Sequence, residues 1–590
     1  MVGITTVENA RLGYAAPSTP PKMHNFTYLL SAMAAIGGFL FGYDTGIISA
    51  AMLYIDSNRD MQPISNFWKE LIVAVTPGFA GIGAVLAAPT ADRYGRRPVI
   101  MASSVVFVIG AIVCAAAMSK EALVVGRILL GVAIGFASMI VPVYLSESSP
   151  VNIRGPALTS FNAMITFGQM AANIIAGFFA FIQPETIGWR LMFGFAAVPA
   201  VIQFIGFLYM PESPRWLFRR HGESASEEVL ERIYNHDDEW VKFERAEIHS
   251  TVEADKLNQQ ADKSAFRRVL ETPHVRHALL VGCSLQMFQQ LGGINTIMYY
   301  TGEIIKSSGV KDSHTTIWIS AVIAGVNFVG TLIPFFLIER CGRRKILIVS
   351  AIGVIASLMA MGGAFLLVNR DTASVTTSNV FGDSSLAYFD RCASHSNCDY
   401  CVTDDRCGFC TSSSSDNSIA GYCLPVAPLS PDAHSTTGAC STGFNSTSSP
   451  TSYTWEHSFC HTKYTFLPIG IMVIYLIFFA SGMSPAPWVL NAEFYPLWAR
   501  STCVAASTAT NWAFNLLISL TFLTLTELIT KYGTFFFYAF LTSIGLVVFY
   551  FFVPETKNRS LAEIEGLFMS KEIRERYESE RKRVMISRGE

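Results

Sequence analysis

Twelve long apolar stretches constrain the fold of this 590-residue chain more than any other feature. Each stretch is long enough to cross the roughly 30 Å hydrocarbon core of a bilayer as a helix. Because lipid offers the backbone no hydrogen-bond partners, spans of this kind must be helical. The pattern predicts an all-α membrane protein with twelve transmembrane helices, near residues 27–52, 71–91, 98–118, 122–146, 156–182, 189–210, 276–301, 315–338, 345–368, 465–489, 500–527 and 533–553.

The composition agrees with a membrane protein and disfavours several functions. Hydrophobic residues make up 51% of the chain and charged residues only 15%, against about 25% charged in an average soluble protein. A net charge of -2 gives no basic field for nucleic acid. The sequence has no GxxxxGK[ST] loop, which argues against an ATP-driven pump. No enzyme-like set of nucleophile, base and orienting group stands out, and we expect no cofactor and no metal.

The basic residues of the connectors predict the orientation in the membrane. The connectors after spans 2, 4, 8 and 10 carry "DRYGRR", "NIRG", "ERCGRRK" and "LWARS". Since cytoplasmic loops are enriched in Lys and Arg, we expect these connectors and both termini to be cytoplasmic. We therefore expect a multi-pass protein of the plasma membrane, although the sequence leaves residence in an internal membrane open.

This topology divides the chain into seven regions. The region between the two membrane halves is polar and has helical spacing, so we expect a helical subdomain there, with a solvated linker as the alternative. The regions are a cytoplasmic N-terminus (1–26), a six-helix half (27–210), a cytoplasmic helical linker (211–275), helices 7 to 9 (276–368), an extracellular disulfide-rich loop (369–464), helices 10 to 12 (465–553) and a cytoplasmic C-terminus (554–590).

The loop over residues 369–464 holds eight of the twelve cysteines. An even number of cysteines in a Ser/Thr-rich segment outside the cell predicts a disulfide framework. Two CxxC pairs leave zinc as the alternative, and the spacing resembles the small cysteine-rich module of plexins, semaphorins and integrins. The "NST" at Asn445 is a glycosylation acceptor on the same side. The cysteines are Cys392, Cys398, Cys401, Cys407, Cys410, Cys423, Cys440 and Cys460.

The two halves of the chain repeat each other. "DRYGRRP" at 92–98 returns as "ERCGRRK" at 339–345, and a Glu-x2-Pro-x3-Arg motif occurs at 147 and again at 493. The two copies of the second motif lie about 99 residues further apart in the sequence than the two copies of the first. This difference matches an insertion at the cysteine loop. The chain therefore reads as two parallel six-helix repeats, an organisation typical of transporters with a site near the midplane.

One acid stands inside the first predicted helix: Asp44, in "GGFLFGYDTGIIS". A carboxylate at bilayer depth is costly and normally faces a cavity or a partner. Arg127 is the only strongly basic residue well inside a predicted helix. A pair with Arg127 would hold Asp44 ionised, and separating the two would favour its protonation. We predict a proton switch; the alternatives are a static ion pair and a sodium site.

Several motifs occur in the order known from one family: "GFLFGYDTGIIS", "DRYGRR", "GRILLGVAIG", "PVYLSESSPVNIRG", "PESPRWL", "QQLGGINTIMYY", "ERCGRR" and "PETKNRS". The chain thus resembles the sugar porter branch of the major facilitator superfamily, from about 27 to 567. The cysteine loop and "PAPWVLNAEFYPLWARST" are most similar to the proton-coupled myo-inositol symporters of animals. The sequence departs from the family pattern at Ala88, Ala163 and Asn558.

This resemblance implies import of myo-inositol, or a related neutral polyol, with protons by alternating access. Asp in the first helix and Arg in the fourth are the residues that proton-coupled sugar porters carry at the positions of Asp44 and Arg127. The expected partners are the small polyol or sugar, protons and the lipid bilayer, and we expect a monomer. The alternatives are a facilitative hexose uniporter and a sugar-sensing receptor.

Amide side chains form the candidate substrate site. The spacing of 3 and 4 residues puts Gln286 on one helical face with two further glutamines. The resemblance implies substrate contacts for Gln289, Gln290, Asn295, Asn327, Trp488 and Asn511, and we add Gln169, Gln286 and Asn515. The alternative is that these amides only join helices. Tyr299 and Tyr300 are candidate gates or packed aromatics, and Pro485 and Pro487 should break helix 10 beside Trp488.

Charged residues at the helix ends form a candidate cytoplasmic network. By the resemblance, the "DRYGRR" and "ERCGRR" motifs bond to a Glu and an Arg of each Glu-x2-Pro-x3-Arg motif and hold the inner side shut. The alternative is arginines that only set topology. The residues are Asp92, Arg93, Arg96, Arg97, Glu147, Arg154, Glu339, Arg340, Arg343, Arg344, Glu493 and Arg500.

Small residues also indicate close helix packing. Gly38, Gly42 and Gly46 recur every four residues in the first predicted helix. Such a spacing lets a second helix approach the backbone closely.

Overall fold

The structure is a computed structural model of the chain. It describes residues 17, 19, 21, 25–150, 153–259, 265–376, 388–412, 420–427, 434–438, 440–441, 453–496, 498–557, 559 and 561–569.

Six helical segments form the first half of the described membrane region, which we call the N-half. We number membrane segments in chain order. They are segment 1 (Asn25–Ile55), segment 2 (Asn66–Tyr94), segment 3 (Arg96–Ala115), segment 4 (Lys120–Ser148), segment 5 (Arg154–Phe179) and segment 6 (Trp189–Gly194, then Ala197–Tyr209).

Six more segments form the second half, the C-half. They are segment 7 (Pro273–Leu291, Ile294–Tyr299 and Thr301–Ser307), segment 8 (Ser313–Leu332, then Pro334–Cys341), segment 9 (Arg343–Asp371), segment 10 (Phe466–Phe478, then Ala486–Glu493), segment 11 (Arg500–Ile529) and segment 12 (Lys531–Phe552).

Ten of these segments are long and apolar enough to cross a membrane, by length and composition, within the described residues. The other two, segments 5 and 7, carry several amide side chains, and segment 7 is interrupted. The predicted all-α architecture of twelve membrane segments is confirmed.

Hydrogen-bonding side chains cap the starts of three segments. Ser119 accepts from the backbone N–H of Ala122 at the start of segment 4 (3.3 Å). Asp312 accepts from Thr315 N–H at the start of segment 8 (2.8 Å), and Thr530 from Gly533 N–H at segment 12 (3.1 Å). These side chains satisfy backbone donors that the first helical turn leaves without partners.

Segments 7 and 10 are broken rather than continuous. In segment 7 the helix stops at Leu291, and Gly293 takes a φ of 85°, a left-handed conformation that favours glycine. The prediction of one continuous span over 276–301 is therefore wrong at this point.

The break in segment 10 begins before the two prolines that were expected to cause it. A π-helical turn spans Phe479–Met483. The Ser350 hydroxyl of segment 9 donates to the Phe478 carbonyl (2.7 Å) and accepts from Met483 N–H (2.8 Å). A side chain inserted into the helical ladder is a known cause of such distortion.

The most extensive contacts between the halves join two pairs of segments. Segment 2 lies against segment 11, and segment 5 against segment 8. Segments 2 and 8 hold the same place in their halves, as do segments 5 and 11, so the interface follows the internal repeat. Within the N-half, the closest approach joins segments 1 and 5 at the predicted small-residue stripe: a Cβ on Gly42 would lie 1.8 Å from the Ile165 carbonyl oxygen.

The region between the halves folds into four helices: Pro214–His221, Glu223–Tyr234, Asp238–Gln259 and Ala265–Glu271. The first three of these helices share a small apolar core in which Tyr234 stacks on Trp240 at 6.1 Å between ring centroids. The Thr27 hydroxyl of segment 1 donates to the Ile233 carbonyl (3.2 Å), which attaches these helices to the N-half. We call this face of the protein the linker side.

The cysteine-rich region forms a module at the opposite face, the module side. Its described parts contain the helices Phe389–Ala393 and Cys398–Thr403 and a four-stranded sheet. The strands are β1 (Ser374–Val375), β2 (Cys407–Ser412), β3 (Ala420–Pro425) and β4 (Tyr453–Glu456), in the order β1-β3-β2-β4. β1 and β3 are parallel; β2 is antiparallel to β3 and β4.

All eight predicted cysteines are joined in disulfide bonds. The pairs are Cys392–Cys407, Cys398–Cys460, Cys401–Cys423 and Cys410–Cys440. The disulfide prediction is confirmed and the zinc alternative is wrong, because each sulfur is already bonded. Asn445 lies outside the described residues.

The module is attached to the C-half by buried polar contacts. Lys531, at the start of segment 12, donates to Asp399 (2.8 Å), and Asn369 of segment 9 donates to the second oxygen of the same carboxylate (2.8 Å). The module also reaches the N-half, because Asp405 accepts from the backbone N–H of Asn66 at the start of segment 2 (3.0 Å).

A second acid of the module is strongly held in its ionised form. Burial disfavours the charged carboxylate of Asp404, but the neighbouring His395 and Arg391 outweigh that effect and lower the pKa of Asp404 to about 2. Arg391 lies 2.5 Å from Asp404 and 2.7 Å from Glu527 of segment 11. This arginine therefore connects the module to the C-half a second time.

We expect Gly42→Ala to destabilise the protein, because the new methyl group would overlap the Ile165 carbonyl of segment 5. Overpacking of this kind costs about 1–3 kcal/mol. The melting temperature in detergent should fall. The control is Gly363→Ala on segment 9, where a Cβ would meet nothing within 4 Å. Equal melting temperatures for the two variants would contradict the packing argument.

We expect Asp404→Asn to destabilise the module in a pH-dependent way. A depressed pKa stabilises the fold above the unfolded value of 3.8, and this stabilisation is lost as the pH falls through about 2. The melting-temperature difference from wild type should thus stay constant from about pH 5 to 8 and shrink below about pH 4. Asp390→Asn, at an exposed acid of the module, is the control. A difference that grows in acid would refute the assignment.

Candidate functional site

A buried ion pair lies inside the N-half. The Arg127 guanidinium of segment 4 donates to the Asp44 carboxylate of segment 1, and both side chains are almost fully buried. Arg127 also donates through Nε to the Ile72 carbonyl of segment 2 (3.2 Å) and lies over the Phe193 ring. The structure thus brings the two predicted proton-coupling residues into direct contact and ties three segments together at one side chain.

Amides of segments 7 and 11 meet in a buried cluster in the C-half. Asn511 is its centre: its Nδ2 donates to Gln286 (2.7 Å) and Gln289 (2.9 Å), and its Oδ1 accepts from Gln290 (3.0 Å). Gln290 in turn accepts from Asn295, beyond the break in segment 7 (2.7 Å). Five of the predicted substrate residues therefore form one hydrogen-bonded group.

The cluster offers a hydrogen-bond donor that the protein does not use. Nε2 of Gln286 is buried and has no partner among the described residues. Buried polar groups are normally satisfied, so an exception calls for an explanation such as a bound water or ligand. Gln289 is held differently, since its Nε2 donates to the carbonyls of Met483 (2.9 Å) and Ser484 (2.8 Å) at the π-helical turn of segment 10.

Another amide pair crosses between the halves. Asn327 of segment 8 donates to Gln169 of segment 5 (3.0 Å), and both are buried. Gln169 also accepts, through its backbone carbonyl, from Asn173 (2.9 Å). These two predicted substrate residues lie together at the interface of the halves.

The remaining amide and both tyrosines lie nearer the module side. Asn515 donates to the Tyr299 hydroxyl (3.5 Å) and accepts from Ser519 (3.1 Å). The Tyr300 hydroxyl donates to the Ser519 carbonyl of segment 11 (2.7 Å). Both predicted gating tyrosines are thus buried and linked to segment 11.

Trp488 differs from these groups in its exposure. Its side chain is 41% exposed, and it lies on the second helix of segment 10, next to Pro487. This predicted substrate contact is therefore on the part of segment 10 that follows the bend and, unlike the amide cluster, is not buried.

Polar contacts close the module side between the halves. The backbone N–H of Gly302 in segment 7 donates to the Ser49 hydroxyl of segment 1 (2.9 Å). Thr524 of segment 11 donates to the Glu70 carboxylate of segment 2 through both its N–H (2.8 Å) and its hydroxyl (2.7 Å). In this structure the two halves are therefore in contact on the module side.

A charged network lies at the linker side of the N-half. Arg96 forms a two-pronged contact with Glu147 (2.9 and 3.2 Å) and a contact with Asp92 (3.0 Å). Arg97 instead donates to the carbonyls at the end of segment 6 (Phe207, 2.8 Å), and Arg93 lies over the Tyr94 ring.

The C-half repeats this arrangement. Arg343 contacts Glu493 (3.3 Å), and Arg344 donates to the Tyr550 carbonyl of segment 12 (2.6 Å). The carbonyl of Arg340 accepts from Lys557 (2.8 Å). The side chain of Glu339 lies outside the part of the chain that the structure describes.

Two predicted members of the network have other partners. Arg154 contacts Glu244 (3.2 Å), a buried acid of the linker helices, because those helices fold back against the start of segment 5. Arg500 donates to the Tyr495 carbonyl (3.3 Å) instead of a carboxylate.

Sequence reasoning missed two acids that organise the turns of the network. Glu212 accepts from the backbone N–H groups of Arg96 (2.9 Å) and Arg97, and Glu555 accepts from that of Arg343 (3.0 Å). They lie against Gly95 (φ 103°) and Gly342 (φ 94°), where a Cβ would meet the carboxylate. The sequence feature that could have identified these two acids is the Pro-Glu pair that occurs in both "PESPR" and "PETKN".

Two repeated six-helix halves with buried, uncharged amides and a buried ion pair are the arrangement of a membrane transporter. The family model for the sugar (and other) transporter family matches residues 30–389 and 439–568. The chain belongs to this sugar transporter family.

Curated relatives extend this similarity to nearly the whole chain. The proton myo-inositol cotransporter hmit-1.1 of Caenorhabditis elegans is 49% identical over 579 residues, covering 97% of this chain and 95% of that protein. The proton myo-inositol cotransporter of Homo sapiens is 40% identical, covering 95% and 84%.

A solved structure agrees with the fold. The xylose transporter XylE from E. coli, in a partially occluded inward open conformation, superposes with a TM-score of 0.64 at 20% identity, covering 91% of this chain and 100% of that one.

We expect Asn511→Leu to destabilise the C-half, because it would leave Gln286, Gln289 and Gln290 without a shared partner. Each buried polar group left unsatisfied costs about 1–3 kcal/mol. The measurement is the melting temperature in detergent. Thr521→Val is the control on the same helix, since its exposed hydroxyl bonds the Leu517 carbonyl within segment 11. If both variants melt alike, the cluster does not hold segments 7 and 11 together.

Proposed function

We propose that this protein is a secondary active transporter that imports myo-inositol, or a related neutral polyol, together with protons. The observation that carries the proposal is the buried Asp44–Arg127 pair in a protein whose candidate substrate site is built from uncharged amides. Relatives named as proton myo-inositol cotransporters support the choice of substrate and coupling ion.

The amides match the chemistry of a polyol. Each hydroxyl of such a substrate can donate and accept one or more hydrogen bonds, and each Gln or Asn side chain offers both functions. The free Nε2 of Gln286 supplies a donor to a substrate oxygen. Hydrogen bonds that the amides now make to one another, as between Gln290 and Asn511, are exchanged for bonds to the substrate. A charged substrate would find no counter-ion in this cluster.

The ion pair can couple protons to the motion of the halves. With Arg127 in contact, Asp44 is stabilised as a carboxylate; when the two separate, a buried Asp44 without its cation takes up a proton. Arg127 also donates through Nε to the Ile72 carbonyl. Its Nη groups can therefore move away from Asp44 while the side chain stays attached to segment 2. Protonation of Asp44 and the arrangement of segments 1 and 4 are thereby linked.

The orientation follows from the same proposal. The module side is extracellular, where disulfides persist, and the linker side, with both termini, is cytoplasmic. The protein resides in the plasma membrane as a monomer surrounded by lipid, and Asn445 carries a glycan. The ion pairs of Arg96 with Glu147 and of Arg343 with Glu493 each lie within one half and stabilise the cytoplasmic end of that half.

The test is uptake of labelled myo-inositol and glucose by expressing cells at external pH 5.5 and 7.5, with the membrane current recorded. We expect myo-inositol uptake and inward current to rise in acid in wild type. In Asp44→Asn the current should disappear, and uptake should fall at least tenfold. Asp60→Asn, at an exposed acid of the module side, is the control and should behave as wild type.

Two results would change the assignment. Uptake that is insensitive to pH and retained in Asp44→Asn would leave Asp44 as a structural ion partner in a facilitative carrier. Glucose uptake that exceeds myo-inositol uptake would favour the hexose uniporter over the polyol symporter.

A further inference from the structure

A second buried carboxylate lies in the membrane region, away from Asp44. The Glu70 side chain, in the second turn of segment 2, is 1% exposed. Its Oε1 accepts from the backbone N–H of Thr524 (2.8 Å) and its Oε2 lies 2.7 Å from the Thr524 hydroxyl. Because Glu70 belongs to the N-half and Thr524 to the C-half, these two bonds cross the interface that closes the module side.

Glu70 forms no ion pair with any residue that the structure describes. The titratable groups that face it are Glu527 of segment 11, Tyr300 of segment 7 and Tyr538 of segment 12. On its own helix, Lys69 is ion-paired with Asp56 at the end of segment 1 (2.5 Å). The like charge of Glu527 is itself paired with Arg391 of the module (2.7 Å), so within the described residues no cation is paired with Glu70, in contrast to Asp44, which has Arg127.

The geometry around Glu70 suits a carboxylic acid as well as a carboxylate. The Thr524 N–H can only donate, so it needs an acceptor, and Oε1 remains one in either protonation state. The Thr524 hydroxyl can both donate and accept, so a protonated Oε2 can donate to it without breaking the contact. Protonation thus keeps both bonds across the interface and removes a buried charge that no cation compensates.

We propose that Glu70 takes up a proton from the extracellular solution when the module side closes, so that acid outside promotes closure. When the module side is open, water solvates the Glu70 carboxylate. On closure Oε2 gains a proton from that water, and on reopening the proton returns to the same side. Glu70 therefore makes the closing step depend on external pH without adding to the protons transported, and the inference rests on the proposed transporter function.

The variant Glu70→Gln reproduces the hydrogen-bond pattern of the protonated acid. Its Oε1 accepts from the Thr524 N–H, and its Nε2 donates to the Thr524 hydroxyl. The variant should therefore close readily at any pH. Thr524→Val keeps the N–H but removes the hydroxyl that accepts from the protonated acid, so it should weaken closure in acid.

Accessibility to a membrane-impermeant thiol reagent, added outside, measures closure directly. The reporter is Leu53→Cys in a Cys114→Ala background, because Leu53 is buried against Gly302 where segments 1 and 7 meet. In wild type with the reporter, we expect the labelling rate to fall at least threefold from pH 7.5 to 5.5, after correction for the reagent's own pH dependence on a free thiol. With Glu70→Gln the rate should be low at both pH values.

The same comparison in Asp44→Asn separates the two acids. We expect pH-dependent labelling to persist in Asp44→Asn and to vanish in the Asp44→Asn, Glu70→Gln double variant. Glu527→Gln, which removes the neighbouring acid, should keep the wild-type pH dependence. The ratio of charge to myo-inositol transported should be unchanged in Glu70→Gln, because this proton is not carried across.

Two outcomes would overturn the proposal. Labelling of Glu70→Gln that still falls in acid as in wild type would show that another group senses pH. Loss of pH-dependent labelling in Asp44→Asn alone would assign the effect to the ion pair. Because labelling needs no substrate, these outcomes are distinct from a failure of the proposed myo-inositol transport, which only the uptake measurement would reveal.

Discussion

The contact between Arg127 and Asp44 is the interaction on which the arrangement of the N-half depends. Far from bulk water, a carboxylate needs a cation or a proton, and removing one member of a buried pair costs about 3–5 kcal/mol. Arg127 meets that need for Asp44 while its Nε binds the Ile72 carbonyl, so one side chain fixes segments 1, 2 and 4. The close approach of segment 5 at Gly42 then positions the face of segment 1 that carries the acid. The protonation of Asp44 and the packing of segments 1, 2 and 4 therefore depend on the same contact.

Sequence reasoning predicted the membrane segments well because the bilayer itself sets their length and polarity. The first predicted span, 27–52, is Asn25–Ile55 in the structure, and the others agree similarly. The breaks were harder. Gly292 and Gly293 are the local signal for the break in segment 7, but glycines are frequent in membrane helices, so this segment was predicted as one continuous span. The distortion of segment 10 depends on the Ser350 hydroxyl of another segment, which no local pattern in segment 10 can indicate.

The candidate site, too, could be predicted from the sequence only in part. That Asp44 would meet Arg127 followed from the cost of isolated charge in lipid, which leaves few possible partners. Which amides would share bonds with Asn511 depended on the rotation of segments 7 and 11 about their axes, which sequence spacing does not set. Arg154 pairs with Glu244 because the linker helices fold back on the N-half, a tertiary contact. Glu70 looked like any charged residue near a helix end, and only the packing of segment 11 over it reveals its burial.

The attachment of the disulfide module has a mechanical consequence. Four disulfides make the module a stiff body, and the buried Asp399–Lys531 contact joins it to the C-half. When the two halves move relative to each other, the module must move with the C-half as a rigid body outside the membrane. Its hydrogen bond to the Asn66 N–H must then lengthen or break. The distance between a fluorescent label on the module and one on the connector before segment 2 would therefore report the relative motion of the halves, and both labels lie outside the membrane.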